Sequence, residues 1–321
     1  MANVNRSFNV GRAKVTAVDE LTVSAQPYSE LLRPYDQALF EERRELMPPH
    51  YSRNENQMVA KVQHWLVQVD GRNILVDSGF GNGKHLPGLP PEFSNLNTLF
   101  LENLRSEGVT PEDVDTVFMT HVHVDHVGWN TQWNGTEWMP TYLKARHIMT
   151  ETERRYWDST SVHYRPSDHG RSVMRNCFEE SVLPIVREGL AQTCEVDARI
   201  DDQFEFLSMP GHTPGQVAIK FVCDGEGVLF AGDAIHHPIQ VVIPEWCMVF
   251  DEDPGTSVKS RRRLLAMCAD ENLVLAPAHF MHGACRVTRS ADGFRAHNLE
   301  MFESNGRSST ATDSAPSLDS R

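Results

Sequence analysis

The run Thr120-His121-Val122-His123-Val124-Asp125-His126 places four candidate metal ligands within six residues, directly after the apolar stretch 114–119. Imidazole nitrogen and carboxylate oxygen suit zinc and its borderline neighbours. A buried strand that ends in a ligand-dense turn is a rigid holder for an ion, because the strand fixes the turn. Residues of the same type recur in the same local setting further along. The apolar run 204–209 leads into Pro210-Gly211-His212-Thr213-Pro214-Gly215, the run 228–232 delivers Asp233, the run 273–276 delivers His279, and the run 73–76 delivers Asp77. Such residues converge if the strands that carry them share one sheet system. Gly211, Gly215 and Gly232 permit the tight backbone that these turns need.

The elements that must position these residues are legible from pattern. Residues 59–69 alternate partly between apolar and polar and read as a strand, and Asp70-Gly71 turns it into the strand ending at Asp77. Residues 99–106 read as a helix ended by Gly108, followed by the motif strand. Strand, helix, strand in that order fits an α/β layered fold. Residues 133–139 read as a hairpin around Asn134-Gly135. Helices are expected at 150–157, at about 173–190 and at 256–269, with a polar loop over 158–170. Arg261, Arg262 and Arg263 read as a solvated face of the last helix.

Taken together, HxHxDH at His121 to His126, His212 in a GHTPG turn, Asp233 in a GDA turn and His279 resemble the metallo-β-lactamase superfamily over residues 60–285. The resemblance implies an α/β fold, an αββα sandwich with a two-metal site at one edge. It implies that His121, His123 and His212 hold one ion, that Asp125, His126 and His279 hold the other, and that Asp233 and a hydroxide bridge them. Two divalent ions are therefore expected as cofactors, zinc first, with manganese, iron or cobalt accepted by the same ligands. Asp77, in its DxG turn, is expected to orient a ligand histidine instead of binding metal itself.

A hydroxide shared by two divalent ions is a nucleophile at neutral pH, since the ions lower the pKa of water from about 15.7 toward about 7. The ligands argue for hydrolysis without choosing the bond. Asp125 and His236 are the candidates for delivering a proton to the leaving group. Acyl-homoserine lactonases, which the ligand pattern resembles, commonly carry a Tyr near the position of His236. Many hydrolases of the superfamily have Gly-Gly after the HxHxDH cluster, where this chain has Gly128-Trp129. Trp129, Trp246, Met248, Phe250 and Phe280 are the expected walls of an apolar pocket, which favours a small, uncharged, partly apolar substrate. The leading reading is a dinuclear hydrolase of lactones or carboxylic esters. A phosphotriester hydrolase is the alternative. A β-lactamase ranks lower, because those of the HxHxDH type usually lack a bridging Asp, and a non-catalytic binding protein on the same fold ranks lowest.

Bulk properties narrow the field further. The chain has 321 residues, 44 acidic against 30 basic, for a net charge of −14. That balance disfavours binding to phosphate backbones and so argues against a nuclease. No run of 18 apolar residues exists, so no membrane helix is expected, and residues 1–6 lack a charged-then-apolar leader; the expected compartment is the cytoplasm. The six cysteines form no CxxC pair and read as reduced thiols, with Cys223 and Cys268 in the core. The expected organisation is an N-terminal extension or arm over 1–58, a hydrolase domain over 59–303 and a disordered tail over 304–321. The part of the arm over 28–58 could cover the site, pack on its own domain, or bind a second subunit to make a homodimer.

Overall fold

The computed structural model describes residues 5–47 and 57–303, and the expected tail lies outside the described residues. The first part of the chain builds one sheet strand by strand: β1 (Arg6–Val10), β2 (Ala13–Pro27), β3 (Gln57–Val69), β4 (Arg72–Val76), β5 (Thr116–Phe118), β6 (Arg146–Thr150) and β7 (Ala191–Cys194). The second part builds another: β8 (Phe204–Ser208), β9 (Val217–Cys223), β10 (Glu226–Phe230), β11 (Val274–Ala276), β12 (Cys285–Ser290) and β13 (Gly293–Asn298). β14 (Phe302–Glu303) then returns to pair with β1. The spatial orders are β7-β6-β5-β4-β3-β2-β1-β14 and β8-β9-β10-β11-β12-β13.

Most neighbours are antiparallel hairpins, but β4, β5, β6 and β7 run parallel, as do β10 and β11. Parallel neighbours need long crossovers, and their carboxyl ends share an edge. Asp77 follows β4, the His121 to His126 turn follows β5, Asp233 follows β10 and His279 follows β11. Parallel pairing therefore gathers residues that lie as much as 202 positions apart in sequence, counted from Asp77 to His279, onto one rim.

The two sheets pack face to face on an apolar core that includes Phe8, Trp65, Val67, Phe206, Phe221 and Phe230. The pleat explains the alternation in β3, where Trp65 and Val67 point into that core while Leu66 joins Phe100 and Leu104 of the helix Phe100–Ser106 on the other face. The outer face of the second sheet is covered by the helix Pro254–Asp270, whose Leu264, Leu265 and Cys268 meet Leu229 and Leu275. Asp253 caps this helix by accepting from Thr256 N at 3.1 Å. Helix, sheet, sheet and helix make the expected αββα sandwich. Among the described residues no helix is long and apolar enough to cross a membrane.

Three expectations need correction. The boundary at residue 58 falls inside a hydrogen-bonded ladder, because β2 pairs with β3 along nearly its whole length. Residues 6–27 are sheet, since a strand's backbone groups need a ladder partner. Among the described residues, 28–47 form the arm, with helices Tyr28–Leu31 and Gln37–Arg43, and it packs Tyr28, Leu32 and Phe40 against Ile239, Trp246 and Met248 of its own chain. The helix expected over 173–190 is three short ones, Asp168–Val173, Cys177–Ser181 and Leu183–Arg187. Asn176 in the left-handed region, at φ 65°, breaks the first from the second, and Pro184 sits at the start of the third.

The third correction concerns Arg261, which is fully buried while Arg262 and Arg263 are exposed. Its guanidinium donates from Nε to Ala234 O at 2.9 Å, from Nη1 to Pro244 O and Trp246 O, and from Nη2 to Ser257 Oγ, and it lies 3.5 Å from Asp251. The planar fork of five donors fits a pocket of irregular backbone that would otherwise hold unpaired carbonyls. Removing it strands those carbonyls and the Asp251 charge. Arg261→Ala is expected to cost about 3–5 kcal/mol in urea unfolding, against less than ~0.5 kcal/mol for Arg262→Ala.

Candidate metal centre

Strand β5 ends at Phe118, and the chain then makes a tight descent through Thr120 to His123 before the short helix Val124–Val127. Asp77, itself in the left-handed region at φ 62°, braces this turn. Its Oδ1 accepts from Thr120 N at 2.8 Å, and its Oδ2 accepts from Thr120 Oγ1 and from His126 Nδ1, both at 2.9 Å. Thr120 Oγ1 lies 3.0 Å from His121 Nδ1, so one carboxylate orients two imidazoles, one directly and one through a hydroxyl.

The remaining histidines are anchored the same way. His212 Nδ1 donates to Asp251 Oδ1 at 2.9 Å, and His279 Nδ1 donates to Lys61 O at 2.8 Å. Each anchor consumes Nδ1 and leaves Nε2 facing the centre. His123 is the exception: its Nδ1 faces His212 Nε2 at 2.9 Å. Two clusters result, His121 with His123, His212 and Asp233, and Asp125 with His126, Asp233 and His279. Within each, one ligand-type atom per residue lies within 4.8 Å of all the others, and Asp233 belongs to both.

The donor set fits a divalent ion. His121 Nε2, His126 Nε2 and Asp233 Oδ1 are buried and have no hydrogen-bond partner. Orphaned buried lone pairs of this kind are costly and rare unless something polar takes them. Burial, then the neighbouring imidazoles, holds His121 and His123 well below their usual pKa, so both keep a free lone pair. Burial also opposes a charge on His126 and His279, but nearby carboxylates, Asp233 first among them, outweigh it and raise both. His212, between Asp233 and Asp251, rises to about 9 against the same opposition. A cation that binds these nitrogens must displace protons, so its affinity falls in acid.

His236 lies inside the site. Its Nε2 is 3.1 Å from Asp233 Oδ2, its ring is parallel to that of His279 at 5.4 Å, and its Nδ1 has no partner. Burial lowers its pKa. Asp125 is the most exposed member of the centre, with 19% of its side chain accessible, and stands 3.6 Å from His279 Nε2.

A cavity of about 230 Å³ opens onto His123, Asp125, His212, Asp233, His236 and His279. Val62, Phe80, Phe93, Val124, Met248 and Phe250 are among its walls, with Leu31 from the arm. Among the described residues its lining contains no Lys or Arg. Of the five expected pocket residues, Met248 and Phe250 line this cavity and the other three do not. Trp129 is buried against Phe100 at 5.9 Å, with Nε1 donating to Glu20 Oε1 at 2.7 Å. Trp246 packs on Tyr35 beneath the arm, and Phe280 joins the core under the helix Pro254–Asp270. Each ring follows a ligand-bearing loop in sequence, but its loop turns it away from the rim and into a helix layer.

Several supporting residues escaped the sequence reading. Glu153 is buried and accepts from Val122 N, Gly215 N and Trp157 Nε1, which clamps the turn of His121 and His123 to the turn of His212. Burial raises its pKa. Glu20 sits where the β2–β3 register shifts, and it accepts from Phe80 N at 2.7 Å as well as from Trp129. Burial pushes its pKa up to about 7. The available signal for Glu20 was a charged pair, Asp19-Glu20, within an otherwise strand-like stretch; Glu153 and Asp251 had none.

A metal-binding α/β sandwich with its histidines and aspartates on the carboxyl ends of parallel strands is the class that this fold and site define. The family model of the metallo-β-lactamase superfamily matches residues 61–279, and the chain belongs to that superfamily. It is similar to the acyl-coenzyme A thioesterase MBLAC2 of Gallus gallus, 28% identical over 234 residues covering 72% of this chain and 76% of the relative. It is also similar to an N-acyl homoserine lactonase of Bacillus sp, 23% identical over 53% of this chain and 62% of that one. Among solved structures, the hydrolase AbOPH superposes with a TM-score of 0.77 at 21% identity, covering 93% of this chain and 98% of that one. AidC, a dizinc quorum-quenching lactonase, superposes with a TM-score of 0.72 at 19% identity, covering 92% and 97%. At those identities the structural likeness is one of fold. Members of the superfamily usually bind divalent metals, and the two clusters described above are the groups that could hold them here.

Asp77→Ala is expected to leave the fold intact by circular dichroism and to weaken divalent-metal affinity about 10–100-fold in a chelator competition.

Proposed function

We propose that the protein is a dinuclear, metal-dependent hydrolase of acyl esters, acting on lactones, carboxylic esters or thioesters with an apolar acyl group. The observation that carries this is the geometry of Asp233: one buried carboxylate shared by two histidine clusters at the end of a largely apolar cavity whose described lining has no Lys or Arg. Relatives named as an acyl-coenzyme A thioesterase and an acyl-homoserine lactonase support the acyl bond over others. The ligand roles proposed are His121, His123 and His212 for one ion, Asp125, His126 and His279 for the other, and Asp233 for both, with Asp77 as a brace. Zinc is the proposed ion.

When bound, such ions acidify water and polarise the acyl oxygen. The chain's own residues do the rest. The apolar walls accept the acyl chain and exclude bulk water, which strengthens electrostatic interactions at the rim. An uncharged acyl group fits walls that, away from the histidine rim, offer no Lys or Arg among the described residues. Asp125, partly open to the cavity, is placed to receive a proton and return it to the leaving atom. His236, neutral because of its burial, commits its one N–H at Nε2 to Asp233 Oδ2, which leaves Nδ1, the nitrogen without a partner, as an acceptor able to take up a proton.

Proton release in a pH-stat across lactones, aryl esters, thioesters and phosphotriesters tests the reading. Chelator-sensitive turnover of the acyl substrates is the expected result, and turnover confined to phosphotriesters would replace it with phosphorus chemistry. His236→Phe is expected to lower kcat by about 10²-fold while the metal content measured by elemental analysis stays unchanged. A parallel loss of metal would reassign His236 to metal binding.

A further inference from the structure

The metal-facing cavity has a larger neighbour. A second cavity, of about 460 Å³, lies on the other side of Met174, which lines both. Its floor includes Val122, between His121 and His123, and Trp157, whose ring meets that of His123 edge-on at 5.3 Å. Its rim carries Arg171 and Arg175 with the polar side chains of Ser159, Tyr164 and Asn176. A volume of this order is that of a ligand site.

The charges on that rim are unequally matched. Arg171 is ion-paired with Asp168 and donates to Pro166 O. Glu179 accepts from Ser159 Oγ at 2.8 Å. Arg175 has no ion pair or hydrogen bond with any described residue. The second cavity therefore offers a guanidinium with its donors open, beside hydroxyl and amide groups and the carboxylates of Asp168 and Glu179, whereas the described lining of the first has no Lys or Arg. A guanidinium fork matches the paired oxygens of phosphate or carboxylate.

We propose that the second cavity takes an anionic leaving group, a phosphate or carboxylate carried on the alcohol or thiol side of the substrate, while the acyl side fills the apolar cavity. This rests on the hydrolytic reading above. In the step it serves, the oxygen of water bonds to the acyl carbon and the carbon–oxygen or carbon–sulfur bond breaks. The leaving atom keeps the bonding pair and takes a proton, and the acid product loses one. Lactones, whose leaving oxygen stays attached to the acyl group, release no separate fragment into this cavity. The proposal thus separates open-chain esters and thioesters with a charged carrier from cyclic substrates.

Three decanoyl thioesters test it on the metal-loaded enzyme: those of N-acetylcysteamine, which is neutral, of 3-mercaptopropionate, and of 4′-phosphopantetheine. Arg175→Ala is expected to lower kcat/KM for the charged thioesters about tenfold, through KM, and to leave the neutral one unchanged. Arg175→Lys should restore part of the loss. The larger effect, on the carboxylate or on the phosphate, identifies the anion. An equal loss on the neutral thioester, or no loss on the charged pair, overturns the proposal while the hydrolytic reading stands. Absence of turnover on all three thioesters and on lactones and oxygen esters removes both.

Discussion

A single buried carboxylate, Asp233, is the point on which five imidazoles converge, at 3.8 Å from His121, 3.2 Å from His126, 3.3 Å from His212 and 3.1 Å from both His236 and His279. This is an arrangement that no apolar interior would favour by itself. Imidazole lone pairs aimed at one another repel, and an ionised carboxylate is expensive to bury. The arrangement holds because the opposite edge of most rings is anchored before any cation arrives. His126 is held by Asp77, His121 by Thr120, His212 by Asp251 and His279 by the carbonyl of Lys61. The cost of ordering the ligands is met by folding, and a bound cation completes the pairing of atoms that are otherwise orphaned.

Those anchors come from more than one layer of the sandwich. Asp77 follows β4, Lys61 lies on β3, and Asp251 precedes the helix that covers the second sheet. Asp251 is in turn flanked by Arg261, whose remaining donors gather the backbone of 234–246. Glu153, at the start of the helix that follows β6, joins the turns of the two sheets by accepting from Val122 N and Gly215 N. The site is therefore sensitive to the packing of both sheets on each other, and the buried charges outside it serve the register of its loops.

What the sequence disclosed and what it hid divide along one physical line. Ligands stand at the ends of apolar runs, and both the runs and the ligand types are local signals, so the fold class and the seven converging residues were legible. The extent of the first sheet was less so, because β1 and β2 precede the motif region and resemble an appendage until their ladder with β3 is seen. Arg261 misled because three consecutive arginines look solvated, yet one position in such a run must face inward on a helix. Trp129, Trp246 and Phe280 misled because nearness in sequence to a ligand says nothing about which side of the loop a ring takes. Beyond Met248 and Phe250, the cavity walls come from Val23, Val62, Phe80 and Phe93, which no short motif connects.

The electrostatics of the whole chain bear on what reaches the rim. A net charge of −14 repels anions at a distance, and Glu92, Asp125 and Asp233 give the cavity lining the same sign. At physiological ionic strength that repulsion is screened beyond about 8 Å, so only contacts within the site decide what is held. A neutral acyl group loses little on entering apolar walls, whereas an anion placed against them, away from the histidine rim, would lose its hydration with no Lys or Arg among the described lining residues to replace it. A charge on the substrate is therefore better placed away from those walls, and the cavity across Met174 carries an arginine with open donors at its mouth and Val122, between His121 and His123, in its lining.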